Sequence, residues 1–369
     1  MALLAEGQKI GGTYEVERFL GEGAFAEVYR VKHRFLGRQA MKVFKAPGMT
    51  LEETVNALGE AVLLSRLGHP NIIRVFDANL LEIPSGKFGY FTMEYVAGGS
   101  LQQFWRSFGS RFIPPETVVD VTRQICRGLS VAHSERPPIV HRDIKPQNIL
   151  VGYEPDGLRV RLSDFGLAKK ANPLTLLVSA RGTLLFKAPE AFSDYQGDSC
   201  TGDVWAVGVT MYLLMTDRYP FEVPEEIGAM NAKCFEAPVP YPSRLNVLID
   251  PELDRIVVRA ISVNPKQRYQ SAVELLGDLE AWRPAANPLP LPSHRNSAAS
   301  KTSKTVLGQP SPINERTARA MVKEAFQLAQ GVGHLNEAAD MLEETLNKWP
   351  SLRIEYEGQV RLWRKGVLM

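Results

Sequence analysis

The stretch HRDIKPQNIL, at residues 141–150, places one carboxylate among groups that could act with it. Asp143 lies between the cations Arg142 and Lys145, and Asn148 follows before an apolar run. A carboxylate in this setting could accept a hydroxyl proton while a phosphate is transferred. Lys145 could offset charge on the phosphate, and Asn148 could hold a metal ion. The alternative is a polar turn that precedes a strand.

A second carboxylate, Asp164, occurs in the sequence SDFG directly after the apolar segment Arg159–Leu162. Carboxylate oxygens are ligands that Mg²⁺ prefers in proteins. Asp164 is therefore a candidate metal ligand, although a polar turn at a strand end would give the same pattern.

Two further features suit a phosphate-binding site. Glycines in GEGAFAEV, Gly21–Val28, let the backbone approach phosphate oxygens and offer N–H donors. A strand is expected to follow them, which excludes a Rossmann-type loop. Lys42 lies in an apolar strand, where an unpaired ammonium is costly, and Glu60 on the next helix is a candidate partner. The ordinary alternatives are a hairpin turn and a solvated lysine on an edge strand.

Composition and charge limit the class of protein. The chain has 369 residues, which allows about two domains, and its formal net charge of +2 does not indicate nucleic-acid binding. Its three cysteines form no CxxC pair, which argues against a disulfide framework and a zinc site. The N-terminus lacks the features of a signal peptide. The longest apolar run, Val204–Met215, is shorter than the about 20 residues that cross a bilayer. We therefore expect a soluble, cytoplasmic protein with no membrane span.

The N-terminal part is predicted to be mostly strands with one helix. Segments rich in Val, Tyr and Phe are separated by glycine-containing turns; they are Tyr14–Leu20, Glu27–His33, Gln39–Phe44, Ile72–Ala78 and Tyr90–Tyr95. The sequence TLEE at Thr50–Glu53 resembles a capping box that opens a helix. From Ser100 the apolar spacing becomes helical. Helices are predicted after Pro115 and at Thr201–Thr216, Pro251–Ser262 and Ser271–Trp282.

Composition then divides the chain into three parts. Residues 284–312 are rich in Pro, Ser, Thr, Asn and Ala, which is typical of a linker. Residues 313–369 are helical again, with Ala338, Leu342 and Leu346 at helical spacing. The expected organisation is a main domain at 14–283, a linker at 284–312 and a helical segment at 313–369.

The order of the motifs along the chain is more informative than any one motif. The glycine loop, the strand lysine, the helix glutamate, HRDxKxxN, DFG and APE at Ala188–Glu190 follow one another along the chain. In this order they resemble the eukaryotic-like (Hanks-type) protein kinase family, over roughly Tyr14 to Trp282. The amino-acid sequence around the motifs resembles that of bacterial members. The resemblance implies an α+β, bilobal protein kinase fold with a β-rich N-lobe and a helical C-lobe. A small all-α C-terminal segment follows in this chain.

The resemblance also implies the substrates and the site. ATP would be bound with Mg²⁺, and the catalytic residues would be Asp143 as base, Lys145, Lys42 on the α/β-phosphates and Glu60 holding Lys42. Asn148 and Asp164 would be the metal ligands. Met93 takes the gatekeeper position, and Glu94–Val96 form the hinge that faces adenine. The nucleotide-binding set comprises Gly21, Glu22, Gly23, Ala24, Phe25, Ala26, Val28, Ala40, Lys42, Met93, Glu94, Val96, Asn148, Leu150 and Asp164.

Supporting roles follow from the same resemblance. Glu190 of the APE motif would pair with Arg268, and Asp203 would hold the catalytic loop. An apolar stack would include Leu64, Val75, His141 and Phe165.

Lys145, two residues after Asp143, is the serine/threonine signature of the family, and Gly182–Thr183 agrees with it. The expected activity is phosphate transfer from ATP to serine and threonine hydroxyls of proteins, with autophosphorylation. The alternative is a catalytically weak kinase-fold scaffold that acts through its helical tail. Two departures stand out: Ala26 replaces the third glycine, and Leu184–Phe186 replaces a stretch with proline and tyrosine, which leaves substrate preference open.

Regulation is open at two places. In the family, the arginine equivalent to Arg142 often binds a phosphate on the activation loop, where Thr175 and Ser179 are candidates; Thr183 is expected to contact Asp143 and Lys145. A purely structural Arg142 is an equal alternative.

The tail sequence Gly333–Pro350 resembles the second half of a tetratricopeptide repeat, of which only one is visible. Such a segment could bind a partner protein, self-associate, dock on the kinase domain or simply pack as a helical hairpin.

Overall fold

The computed structural model describes residues 2–23, 26–45, 58–109, 111–165, 183–192, 199–224, 232–284, 312–331 and 334–367. Several predicted features lie outside these residues: the capping box at Thr50–Glu53, the loop residues Ala24 and Phe25, residues 285–311 of the linker, and Thr175 and Ser179. The side chain of Glu60 also lies outside the described part, although its backbone belongs to a helix.

An antiparallel sheet of six strands builds the N-terminal lobe. The strands are β1 (Lys9–Ile10), β2 (Tyr14–Glu22), β3 (Ala26–His33), β4 (Gly37–Phe44), β5 (Val75–Ile83) and β6 (Gly86–Glu94). They lie in the order β1-β2-β3-β4-β6-β5. Side chains alternate between the two faces of a strand, so Met41 and Val43 enter one apolar cluster while Ala40 enters the main core on the other face.

One helix, α1 (Gly59–Arg66), covers the main-core face through Ala61 and Leu64, both of which are buried. The strand predicted at Ile72–Ala78 begins later, at Val75. Ile73 pairs with the other lobe instead, because its N–H donates to the Leu162 carbonyl at 2.9 Å.

The C-terminal lobe is helical around one small hairpin. Its helices are α2 (Leu101–Arg106), α3 (Pro115–Ser134), α4 (Cys200–Thr216), α5 (Pro251–Ala260) and α6 (Ala272–Ala281), and the hairpin strands are β7 (Ile149–Glu154) and β8 (Gly157–Leu162). Short 3₁₀ turns occur at Pro146–Asn148, Leu184–Phe186, Pro189–Phe192, Ala232–Phe235, Pro242–Arg244 and Pro265–Gln267. Helix α4 is buried from Asp203 to Thr216, as its apolar sequence predicts for a core helix. The α+β bilobal prediction is confirmed.

A glycine allows α4 to pack closely on α5. A Cβ at Gly208 would lie 2.7 Å from Ile261 Cγ2 and 2.9 Å from Ala260 Cβ. We expect Gly208→Ala to lower the free energy of unfolding by about 1–3 kcal/mol through overpacking. The matched control is Gly277→Ala in α6, where the added Cβ would meet nothing within 4 Å. That change should stabilise the protein by about 0.5–1 kcal/mol through helix propensity. Urea unfolding of both variants measures this, and equal effects would contradict it.

Three helices form the C-terminal segment: α7 (Pro312–Ala329), α8 (Leu335–Lys348) and α9 (Arg353–Arg364). Their own apolar cluster includes Ala325, Leu342 and Trp363, and Tyr153 of β7 joins it. The helical prediction for this segment is confirmed, and the segment docks on the C-terminal lobe through β7. Its likeness to a tetratricopeptide repeat stays a prediction. No helix within the described residues is both long and apolar enough to cross a membrane.

Glu343 of α8 is buried where this segment meets β7. Its Oε1 accepts a hydrogen bond from the Tyr153 N–H at 3.2 Å, and its Oε2 lies 3.0 Å from Arg364 Nη2. Burial is the largest influence and raises the pKa of Glu343 to about 7, although Arg364 opposes the change.

This shift predicts a pH-dependent stability. Because the folded-state pKa lies above the ordinary value of 4.5, stabilisation is fully present below about 4.5 and is lost as the pH rises through about 7. Between these limits the wild type should lose on the order of 3 kcal/mol more than Glu343→Gln. Urea unfolding across the pH range measures the difference. Parallel pH profiles of the two proteins would contradict it.

Candidate active site

The loop that carries Asp143 lies between α3 and β7 and is anchored to α4 through Asp203. Asp203, which is 2% exposed, accepts the N–H of His141 at 2.7 Å and the N–H of Arg142 at 2.8 Å. His133 Nε2 lies 3.0 Å from the same carboxylate. Buried carboxylates need such partners, so the anchoring that the sequence assigned to Asp203 is present. It leaves Arg142 in a left-handed conformation, with φ of 70°.

Two side chains hold one oxygen of Asp143. Lys145 Nζ lies 2.9 Å and Asn148 Nδ2 lies 2.7 Å from Oδ2. Asn148 also donates to the Asp143 carbonyl at 2.8 Å. The other oxygen, Oδ1, is buried and has no hydrogen-bond partner among the residues that the structure describes. A carboxylate that is held in place by one oxygen can accept a proton through its other oxygen, if that oxygen has no hydrogen-bond partner and a hydroxyl is brought next to it.

Lys145 also reaches across the cleft between two segments. Its Nζ donates to Thr183 Oγ1 at 2.7 Å, so the contact expected between them is present. Lys187 Nζ donates to the Arg142 carbonyl at 2.9 Å. Sequence reasoning missed this second link, since a lysine four residues after Thr183 carries no distinguishing signal. Together they fasten the segment from Thr183 to the catalytic loop.

Asp164 forms an ion pair with Lys42 of β4, which connects the two lobes. Burial would raise the pKa of Asp164, but the Lys42 ammonium outweighs it and holds the pKa below its ordinary range. Asp164 has φ of 59°, and such strained backbone occurs often at functional sites. Phe165 is buried against His141, with ring centroids 4.3 Å apart. Burial lowers the pKa of His141, which keeps that imidazole neutral.

The described nucleotide residues predicted in the N-lobe lie on four neighbouring strands, β2, β3, β4 and β6, and on the segment between β2 and β3. Gly23 N–H donates to the Ala26 carbonyl at 2.8 Å across the glycine turn. Val28 pairs with Lys42 between β3 and β4, and Ala40 pairs with Met93 between β4 and β6. Gly21 and Glu22 end β2 opposite β3. The strand pairing therefore brings residues from Gly21 to Met93 into one surface.

The hinge follows β6 and joins this surface to the C-lobe. The Glu94 carboxylate accepts a hydrogen bond from Arg161 Nε at 2.7 Å, so its side chain is engaged with β8. Val96 is half-buried in the main core, and Leu150 of β7 forms a bridge with Ser100 just beyond the hinge. The side chain of Glu94 is thus turned to a structural contact, as expected if the hinge binds adenine through its backbone.

Asn148 and Asp164 fit the metal ion that the family implies. Asn148 points its amide nitrogen at Asp143, which leaves its carbonyl oxygen as the possible ligand. An amide oxygen and a carboxylate are hard ligands, and Mg²⁺ is usually held by one or two protein groups together with phosphate oxygens and water. Clusters of three or more His, Cys, Asp or Glu that could form a complete cage do not occur among the described residues.

Glu190 and Arg268 support the site from the far side of the C-lobe. Arg268 donates to both carboxylate oxygens of Glu190, at 2.8 and 3.1 Å. The same guanidinium donates to the carbonyls of Thr201 and Ser262. The Arg268 side chain is fully buried and that of Glu190 is 23% exposed, so the predicted pair is present with its cation buried.

Known proteins match this chain over the region just described. A family model, the protein kinase domain, matches residues 14–278. The chain is 32% identical over 282 residues to serine/threonine-protein kinase PknB of Mycolicibacterium smegmatis, with 74% of this chain and 43% of that protein covered. It is 33% identical over 285 residues to a probable serine/threonine-protein kinase of Streptomyces coelicolor, with 75% and 41% covered. The chain therefore matches less than half the length of these bacterial relatives.

A solved structure agrees with the fold. The crystal structure of a double mutant of the PknI kinase domain of Mycobacterium tuberculosis superposes with a TM-score of 0.56 at 26% identity. It covers 76% of this chain and 99% of that one. Since the family model spans most of the sequence and both lobes are present, the chain belongs to the protein kinase family.

Proposed function

We propose that this chain is an ATP-dependent protein serine/threonine kinase. The single observation that carries the proposal is the geometry of Asp143: one oxygen is held by Lys145 and Asn148, and the other has no hydrogen-bond partner among the described residues. The relatives named as serine/threonine-protein kinases support the same activity. A catalytically weak scaffold would need neither the open oxygen nor the intact residues around it.

The residues divide the work between positioning and charge. Asp143 orients the attacking hydroxyl and accepts its proton through Oδ1. Lys145 lies beside that carboxylate and stabilises negative charge on the phosphate as it transfers. Asn148 and Asp164 would hold Mg²⁺, which would neutralise phosphate charge when bound. Lys42, held by Glu60, binds the α/β-phosphates beneath the glycine loop.

Serine and threonine are the proposed acceptors because Lys145 is tied to both Asp143 and Thr183. This arrangement keeps an ammonium next to the hydroxyl that reacts. Arg142 is proposed to bind a phosphate on the activation loop, at Thr175 or Ser179. The protein substrates, autophosphorylation and a partner or second copy bound by the C-terminal helices are parts of the same proposal.

The proposed domains are the kinase domain at 14–283, the linker at 284–312 and a tetratricopeptide-like segment at 313–369. The docking of α8 and α9 on β7 supports a tail that acts together with the kinase domain rather than apart from it. A location in the cytoplasm remains a prediction.

Incubation of the full chain with γ-labelled ATP and a generic protein substrate tests the function. We expect label on serine and threonine, and none on tyrosine, after hydrolysis to phosphoamino acids. The label should disappear when EDTA removes divalent metal. A chain that binds ATP but labels neither itself nor any substrate would contradict the proposal and favour the scaffold.

A further inference from the structure

One carboxylate of the C-terminal segment meets the N-lobe at three points. Glu344 of α8 lies 2.7 Å from Arg18 Nη2 and 2.6 Å from Arg30 Nη1. The Tyr95 hydroxyl donates a hydrogen bond to the same carboxylate. Glu344 is 8% exposed, so these contacts are made with little water around them. Charge-assisted hydrogen bonds in such surroundings are among the strong ones.

The three partners come from the parts of the lobe that surround ATP in the proposed function. Arg18 and Arg30 face each other across β2 and β3, the hairpin that carries the glycine loop. Gly21 and Val28 lie a few residues further along those two strands. Tyr95 directly follows β6 and belongs to the hinge. Glu344 therefore joins the hairpin above the nucleotide to the hinge beside it.

A second contact fixes α8 against the hinge itself. Asn347 Nδ2 donates to the Ala97 carbonyl at 3.3 Å, and Arg353 Nη2 holds Asn347 Oδ1 at 2.7 Å. A Cβ at Gly98 would clash with both the Val151 carbonyl and Glu343 Oε1. Gly98, just after the hinge, thus leaves room for α8 beside the backbone. Helix α8 has a defined seat on the hinge, and Glu344 projects from it toward the hairpin.

The C-terminal segment contacts the two lobes with different chemistry. Apolar contact of the segment runs to the C-lobe, through Tyr153 of β7. Contact with the N-lobe is polar, through Glu344 and through Asp340, which lies 3.7 Å from Arg38 of β4. A buried ion pair adds little net stability compared with apolar residues of the same volume, although removing one partner alone is costly. Since both arginines lie on the β2–β3 hairpin, the loss of the Glu344 charge should act first on the position of that hairpin.

We propose that Glu344 is a positioning residue for ATP, which clamps the β2–β3 hairpin at a set distance from the hinge. The inference rests on the proposed function, since it assumes that ATP lies between these elements. The C-terminal segment then acts as a built-in part of the nucleotide site.

Nucleotide affinity in the full chain tests the clamp. We expect Glu344→Gln to raise the Kd for MgADP by at least roughly fivefold, the low end of typical couplings between sites. The KM for ATP should rise equally, while kcat at saturating ATP stays near the wild-type value. Tyr95→Phe, which removes the hydroxyl that bonds Glu344 and that accepts from Arg18 at 3.5 Å, should shift the same quantities in the same direction. The double variant should show less than the sum of the two single effects, because the two changes share the contact between Tyr95 and Glu344.

Glu337→Gln is the matched control. Glu337 lies on the same helix, is exposed, and pairs only locally with His334 at 3.2 Å. It should leave Kd and KM unchanged. The clamp would be refuted by an unchanged Kd and KM in Glu344→Gln, by an equal rise in Glu337→Gln, or by a lower kcat at unchanged KM with a lower melting temperature. If the wild type transfers no phosphate, calorimetry of MgADP still decides the clamp, so the two failures are distinguishable.

Discussion

Asp143→Asn is expected to lower the rate of phosphate transfer by roughly 10²- to 10⁴-fold, the usual contribution of a positioned general base. Asparagine matches aspartate in shape, but its amide is not basic enough to take the hydroxyl proton. It also removes the negative charge that Lys145 faces at 2.9 Å. ATP binding should change much less, because Asp143 is not itself one of the residues proposed to hold the nucleotide, although it bonds to Asn148, which is. Labelled-ATP kinetics give kcat, and calorimetry gives the affinity.

Asp156→Asn is the control for this change. Asp156 lies in the turn between β7 and β8, where it is exposed and pairs with Arg159. The same substitution there should leave kcat unaltered. Wild-type turnover in Asp143→Asn, or an equal loss in both variants, would show that the open oxygen of Asp143 is not the proton acceptor.

Arg268→Ala is expected to lower the free energy of unfolding by about 3–5 kcal/mol, the usual cost of removing one partner of a buried ion pair. The change leaves Glu190 without its cation and takes donors from the carbonyls of Thr201 and Ser262. It also empties the space beside Trp205, whose ring lies 5.0 Å from the guanidinium. Thermal unfolding should show a midpoint lower by roughly 10 °C.

Arg255→Ala is the control, since it removes an exposed arginine whereas Arg268→Ala removes a buried one. Arg255 pairs with Asp278 at 3.0 Å, but its side chain is 54% exposed. Exposed pairs contribute about 0–1 kcal/mol, so this variant should melt close to the wild type. Arg268→Lys, which keeps the charge but not the two-point contact, should fall between them. Equal midpoints for Arg268→Ala and Arg255→Ala would contradict the structural role of the Glu190 pair.

Local chemistry made much of the site predictable. Asp143, Lys145 and Asn148 lie within one short loop, so their spacing already places them near each other. The order of the motifs then predicted the bilobal fold, which is confirmed. The ends of the strands were less predictable. Ile73 is a residue type that favours strands and precedes β5, yet it pairs with Leu162 of the other lobe. Strand propensity describes a residue and its neighbours, whereas pairing depends on which backbone lies opposite.

The residue types of the site, the helical nature of the C-terminal segment and the family can be read from the amino-acid sequence. The folded chain was needed to show that Lys42 meets Asp164, that Asp143 Oδ1 has no partner among the described residues, and that Glu344 reaches Arg18, Arg30 and Tyr95. On a helix, adjacent glutamates such as Glu343 and Glu344 have the pattern of a solvated face. Glu344 becomes a buried partner only because the docked helix brings it to cations on distant strands, whereas Glu343 meets Arg364 of α9 and the backbone of β7. No local pattern encodes that approach.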